Sequence, residues 1–361
     1  DNELFIDLDN AMCVHLLVTT LLKKEQLTLQ EVLQTPDQCW VTGEAGKFTN
    51  EVIIPFKSVN LPEISAPPTS VPAIIQRHFP PGSEWLYVKI YTGINTAEKV
   101  LKTIILPLAE SLEESGIIDK WFFIRYTDPE DHIRIRFHDT AGNTSWQTIL
   151  GELYARISVI DQGLIHRIQT DTYIREIERY GDKTMELSES IFYYDSKAVL
   201  GCIDLLHGEE GEDFRWLLAV RGVDMLLQDF DYTLSQRSAY LKRLQQHFFR
   251  EFGGSQTLQT QLNASYRKHM RQISSFLDQQ QDVANEIEEA VSLFEKRSSH
   301  IQQVIRDVTI DTWDDLLSSY IHMFLNRMFS SNQRKHELVV YHFLSKYYES
   351  RMAMQKQRQL I

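Results

Sequence analysis

The segment His132-Ile133-Arg134-Ile135-Arg136-Phe137-His138 concentrates side chains suited to holding an anion. It alternates like a β-strand, whose side chains point to opposite faces in turn. Ile133, Ile135 and Phe137 then share a core face, and His132, Arg134, Arg136 and His138 share the other. Two guanidinium groups come to lie ~7 Å apart along the strand, with imidazoles beside them. Like charges held side by side cost free energy unless something negative lies between them. Guanidinium forks are the preferred ligands of carboxylate and phosphate. Arg125 sits on the partner strand, just before the connecting turn. The alternative for this strand taken alone is a solvated polar face paired with acidic residues.

A second segment, Tyr173-Ile174-Arg175-Glu176-Ile177-Glu178-Arg179-Tyr180-Gly181, marks the junction between a sheet and a helical layer, a common position for sites. Glu176 can brace one arginine, and Arg179 can supply another anion ligand. A surface ion-pair cluster is the competing interpretation. A third segment carries Ser319, His322, Asn326 and Arg327 on one helix. His322 and Asn326 are i, i+4 neighbours on the face that Ser319 shares. A lone helical histidine is more often structural. Metal binding is weakly supported here: there is no HExxH, and His322, His336 and His342 lack a suitable spacing. The run of residues 189–196 reads as a supporting helix with polar side chains turned toward the site. No Walker loop, nucleotide-binding GxGxxG or GxSxG elbow occurs, so phosphoryl transfer, hydride transfer and serine hydrolysis lose support.

The elements that must position these residues come next. A chain of 361 residues with 43% hydrophobic content can bury a full core. Its formal net charge of −13 disfavours nucleic-acid gripping and makes a local arginine cluster more informative. Cys13, Cys39 and Cys202 are far apart and odd in number, which points to free thiols in a reducing, cytoplasmic setting. No apolar run approaches the ~18 residues of a membrane span, and no signal peptide is visible, so no membrane insertion is expected. The chain opens on Asp1 and enters a strand-like run at once, so it is expected to be a piece of a longer polypeptide.

Residues 1–60 read as a small mixed segment: a strand at 3–8, helices at 11–24 and 28–34, and a strand at 47–55. Six of the ten prolines fall within a linker at 61–81. The elements that follow are a strand at 85–91, a helix capped by Asn95, strands at 121–126 and 133–137, a helix at 145–160 and a strand at 164–173. That β-α-β-β-α-β order predicts a split βαβ, ferredoxin-like sheet. From residue 183 the periodicity is helical, in segments 184–206, 213–250, 258–305, 311–330 and 335–357. The fold class is α+β: a sheet region followed by a largely helical half.

Five segments in this order carry a resemblance. They are Trp121-Phe122-Phe123-Ile124-Arg125-Tyr126-Thr127-Asp128-Pro129, His132-Ile133-Arg134-Ile135-Arg136, residues 176–181, residues 189–196 and residues 322–327. Residues 82–361 resemble the C-terminal elimination domain of lantibiotic dehydratases, also called the thiopeptide-type bacteriocin biosynthesis domain. Residues 1–60 look like the tail of the glutamylating domain that precedes it. The resemblance implies that an upstream domain uses glutamyl-tRNA to esterify serine and threonine of a precursor peptide. The elimination domain then removes glutamate by β-elimination, leaving dehydroalanine or dehydrobutyrine, with no metal or organic cofactor. The family's catalytic positions match Arg134, Arg136, Arg179 and His322, and Glu176 matches a supporting acidic position. On this basis His322, Arg136 and Arg179 carry the chemistry, while Arg134, Arg125, Glu176, Asn326 and Arg327 hold the glutamylated substrate. His322 handles a proton, as acid or base. A homodimer and association with a cyclase are implied partnerships. One departure stands out: the family's Gly-Gly is Gly181-Asp182 here.

Two other functions compete. One is a formal [4+2] cycloaddition joining two dehydroamino acids on the same scaffold, as in pyridine-forming enzymes. The attached glutamylating tail favours elimination over it. The other is a peptide-binding scaffold with a decayed site, against which the intact arginine set and His322 count.

Overall fold

The computed structural model describes residues 6–23, 27, 29, 38–44, 46–48, 75–141, 144–159, 162–206, 208–278, 285–310 and 312–359. The chain divides into two compact units, Asp1–Pro72 and Ala73–Ile361.

In the first unit, α1 (Ala11–Leu21) starts where the Asn10 side chain accepts from the amides of Met12 and Cys13. None of its residues is buried, although the helix is largely apolar. Strands β1 (Val41–Gly43) and β2 (Gly46–Phe48) form an antiparallel hairpin with Val41 opposite Phe48. The strand expected at 3–8 is not found at residues 6–8. Asp7 instead accepts from the Asp9 amide in a local turn that leads into the Asn10 cap. Residues 3–5, the helix expected at 28–34 (Leu29 apart), most of the strand expected at 47–55 and the linker up to residue 74 lie outside the described residues.

The second unit begins with a four-stranded antiparallel sheet made of β4 (Trp85–Tyr91), β5 (Ile118–Thr127), β6 (Asp131–Asp139) and β7 (Arg167–Asp171), in the order β5-β6-β4-β7. That order is the split βαβ arrangement. The connection from β4 to β5 runs through α2 (Ile94–Val100), one π-helical stretch and α3 (Leu106–Glu114), and α4 (Trp146–Ile157) joins β6 to β7. Leu86, Val88, Ile90, Ile133, Ile135 and Phe137 are all buried in the core. They share it with Ile104, Leu108, Ile149 and Leu153 from the connecting helices.

Several expected boundaries shift for local reasons. Gly93 rather than Asn95 begins the first helix, because the Gly93 carbonyl already accepts from the Thr96 and Ala97 amides. The strand expected over 164–173 is two strands. After Asp171 the chain leaves the sheet, and β8 (Tyr173–Ile174) pairs with β3 (His78–Phe79). A short helix, α5 (Ile177–Tyr180), then leads to the helical half.

That half comprises α6 (Met185–Leu205), α7 (Gly208–Asp229), α8 (Leu234–Glu251), α9 (Gln256–Leu277), α10 (Asn285–Ile305), α11 (Asp314–Met328) and α12 (Gln333–Gln359). The segment expected as one helix over 213–250 breaks at Asp231, which has φ 59°, and restarts with a capping box between Thr233 and Gln236. The segment expected over 258–305 is likewise two helices, α9 and α10.

An edge strand exposes unpaired backbone groups that must find partners. Here α6 and α11 supply them to β5. Ser196 Oγ accepts from the Phe123 amide at 3.2 Å, and Arg327 Nε donates to the Phe123 carbonyl at 2.8 Å. Asn326 accepts from the Arg125 amide and donates to the Arg125 carbonyl, both at 2.9 Å. Its carboxamide thus occupies the place of one residue of a neighbouring strand.

Candidate active site

The register sets which arginines face which way. Arg136 lies opposite Tyr87 on β4 and Phe122 on β5, and Arg134 lies opposite Lys89 and Ile124. Arg136 is 9% exposed, with its guanidinium carbon 4.5 Å from the Tyr87 ring centre, 5.1 Å from Phe122 and 5.0 Å from Tyr173. It makes no ion pair or hydrogen bond among the described residues, and its buried Nε lacks a partner. Burial lowers its pKa.

Arg134 stacks on Tyr126 at 3.4 Å and donates from Nε to His132 Nε2 at 3.0 Å. His132 Nδ1 lies 2.8 Å from the Glu130 carbonyl, which fixes the proton on Nδ1 and leaves Nε2 to accept from Arg134. Burial also lowers the His132 pKa, which favours that neutral ring. Each guanidinium is therefore held by aromatic rings or an imidazole and makes no ion pair among the described residues, although Arg136 feels the Glu176 charge and Arg134 acts on Asp171.

The junction segment brings the third arginine. Arg179 Nε donates to Ser319 Oγ at 3.0 Å, and its Nη1 lies 3.7 Å from Glu176. Its side chain is 41% exposed. Ser319 stands one turn before His322 on α11, so Arg179 is tied to the face that carries the histidine. His322 Nδ1 lies 2.8 Å from Glu337 Oε1, and its side chain is 29% exposed against 1% for Glu337. Tyr180 bridges the layers and feels the charges of Arg179, Glu176, Arg327 and Arg136 together. Its hydroxyl is pushed up to about 12, chiefly by burial.

Residues 85–348 match the family model described as lantibiotic biosynthesis dehydratase C-term. The chain belongs to this family. It is 24% identical over 355 residues to the subtilin biosynthesis protein SpaB of Bacillus subtilis, covering 92% of this chain and 32% of SpaB. It is 28% identical over 214 residues to the nisin biosynthesis protein NisB of Lactococcus lactis subsp. lactis, covering 57% of this chain and 21% of NisB. The chain thus spans about a third or less of the length of these relatives. The crystal structure of the tRNA dependent lantibiotic dehydratase MibB from Microbispora sp. 107891 superposes with a TM-score of 0.54 at 20% identity. That match covers 73% of this chain and 28% of MibB, and it shows a shared fold.

Within the lantibiotic dehydratase C-terminal fold, three residues expected to hold substrate have other partners. Arg125 lies opposite Ile133, on the core face of the sheet rather than with Arg134 and Arg136. It is 7% exposed, pairs with Glu98 at 3.1 Å and donates to the Arg327 carbonyl. Burial brings its pKa down to about 10, so it stays charged at neutral pH. Arg327 is fully buried, bonded to the Phe123 carbonyl and paired with Asp195 at 2.8 Å. Asn326 spends its carboxamide on β5. All three hold the sheet to the helices.

The helix over 189–196, read as a support, buries its polar residues Glu189, Asp195 and Ser196. Glu189 is buried and forks onto Arg175, while also accepting from the Tyr173 hydroxyl. It thereby steadies one of the rings beneath Arg136. Asp182, the departure from the family pattern, is exposed and makes no ion pair among the described residues. Gly181 keeps its role in the turn, with φ 75° and a would-be Cβ only 2.8 Å from Thr184 Oγ1. A cleft of about 300 Å³ opens beside Arg125, Tyr126, His132, Asn326 and Gln333, yet Arg136, Arg179 and His322 do not line it. Sequence reasoning missed Glu337, Tyr87 and Tyr173. Strand alternation could have paired Tyr87 with Arg136 only with the register of β4 on β6 in hand, whereas the Glu337 contact crosses a helix connection.

Proposed function

We propose that the chain removes glutamate by β-elimination from glutamylated serine or threonine of a ribosomal precursor peptide, giving dehydroalanine or dehydrobutyrine. The observation that carries this proposal is the pair of guanidiniums, Arg134 and Arg136, that face a common side of the sheet and make no ion pair with a carboxylate among the described residues. Such a pair is ready for an external carboxylate. Arg179, exposed and oriented by Ser319, adds a third.

The step balances as follows. A base takes the proton from Cα of the esterified residue. The C–H electron pair becomes the Cα=Cβ bond by way of an enolate. The Cβ–O bond breaks and its pair leaves as the carboxylate of glutamate. The arginines hold the free carboxylate of the glutamyl unit and the negative charge that grows on the leaving group, where fixed donors contribute most. His322 handles the proton. No metal or organic cofactor is required for this sequence of bond changes. Glutamyl-tRNA enters only in making the ester, through an upstream domain.

The test is mass spectrometry of a glutamylated precursor peptide incubated with the chain. The wild type should release glutamate and leave an unsaturated residue. Arg136→Ala and His322→Ala should leave the glutamylated peptide intact, a loss of about 10²-fold or more. Equal product from wild type and Arg136→Ala would instead support a peptide-binding scaffold.

A further inference from the structure

We infer that Glu337 is the positioning residue for His322 and that it makes the ring a proton acceptor at Nε2. The inference rests on the elimination proposal above. Helices α11 and α12 pack together and bring Glu337 Oε1 to 2.8 Å from His322 Nδ1. Glu337 itself is wholly buried. A buried carboxylate is costly unless donors surround it. Three do so here: the His322 ring, the Tyr341 hydroxyl at 3.3 Å from Oε2, and the Arg334 guanidinium at 3.6 Å. Burial, with the Glu337 charge second, pushes the Tyr341 hydroxyl well above its ordinary value, so that group remains a donor.

An ionised carboxylate only accepts hydrogen bonds. The neutral ring must therefore carry its proton on Nδ1, which leaves the lone pair on Nε2. The ring stays partly open while its partner is sealed off. It shares a helix face with Ser319, the residue that holds Arg179.

In the reaction, the Nε2 lone pair bonds the Cα proton, the freed C–H pair forms Cα=Cβ, and glutamate departs with the Cβ–O pair. The imidazolium that results lies against the Glu337 carboxylate. Glu337 thus orients the ring and steadies its charged form without touching substrate, the division of labour seen when an acidic residue backs a catalytic histidine.

The experiment uses a peptide bearing serine esterified by glutamate. Glutamate release is timed for wild type, Glu337→Gln, Glu337→Asp, His322→Ala and the double variant His322→Ala/Glu337→Gln. In parallel, nitrogen NMR of the labelled wild-type chain reports which ring nitrogen of His322 bears the proton. The expected results are an Nδ1–H ring and a kcat lowered about 10²-fold in Glu337→Gln with KM unchanged. Glu337→Asp should restore part of that rate, and the double variant should be no slower than His322→Ala alone.

An Nε2–H ring in the wild type overturns the inference, and this readout needs no variant to fold. A full kcat in Glu337→Gln beside an inactive His322→Ala overturns it as well, as do losses that multiply in the double variant. A wild type that releases no glutamate overturns the elimination proposal instead, and the ring proton then decides the Glu337 contact by itself.

Discussion

Two regions of this molecule stabilise buried arginines in opposite ways. At the seam where α6 meets α10 and α11, Arg297 and Arg327 are 2% and 0% exposed, and Asp195 joins them at 2.9 and 2.8 Å. Each also donates to a backbone carbonyl, of Gly222 and of Phe123. Gly222 is needed there, since a Cβ would stand 2.3 Å from the Phe324 ring. On the polar sheet face, Arg136 is about as buried but meets three aromatic rings and no carboxylate. Pairing at the seam makes a joint. On the sheet face Arg136 makes no such pair among the described residues.

The largest expected effect separates the two regions directly. Asp195→Ala leaves two buried guanidiniums without their shared anion, and removing one partner of a buried pair costs about 3–5 kcal/mol. Urea or thermal denaturation should show a loss of that size. A stability change within about 1 kcal/mol would mean that the seam does not depend on charge pairing, and the contrast with the sheet face would fail.

A smaller effect sharpens the picture of the seam. Asp229 accepts from Ser298 and Gln302 and lies in the field of Arg297, yet burial prevails and pushes its carboxyl up to about 6. A folded-state pKa above the unfolded value means that the native state binds the proton more tightly. Stability from this group is therefore fully present below the ordinary carboxyl value of 3.8 and is lost as pH rises through about 6. At ~1.4 kcal/mol per pKa unit, the difference across that window is roughly 2–3 kcal/mol. Asp229→Asn should flatten the slope of stability between pH 4 and pH 6 and raise stability at pH 7. An unchanged slope in denaturation curves across that range would show that Asp229 is not the group responsible.

Much of this was legible from residue order. The alternation of residues 132–138 placed Arg134 and Arg136 on one face and Ile133, Ile135 and Phe137 in the core. The β-α-β-β-α-β order led to the sheet topology found. The face Arg125 takes was not legible, because it depends on hairpin register. A shift of one residue sends every side chain to the other side, and the three-residue turn at 128–130 pairs Arg125 with Ile133. Asn326 and Arg327 share a helix with His322, but periodicity cannot say what each side of a helix meets. Asp195 illustrates the same limit, since its partners lie 102 and 132 residues away in sequence.

The smallest expected change in stability is also the most demanding test of the comparison. Arg136→Met keeps an unbranched apolar stem among Tyr87, Phe122 and Tyr173 and removes the charge. It gives up cation–π attraction worth ~0.5–1 kcal/mol or somewhat more per contact. It also ends the desolvation of a buried cation that has no ion-pair partner, the same burial that lowers the Arg136 pKa and outweighs the Glu176 charge. These terms oppose each other, so stability should stay within about 1 kcal/mol of wild type while glutamate release is lost. A seam arginine cannot behave this way, because its removal strands Asp195. If Arg136→Met unfolded as readily as Asp195→Ala, Arg136 would be one more structural arginine, and the anion site would have to be sought around Arg134 and Arg179 alone. If it melted like wild type and still released glutamate, the sheet face would be stable without its charge and irrelevant to the reaction. Only retained stability with lost elimination fits a guanidinium kept unpaired for a substrate.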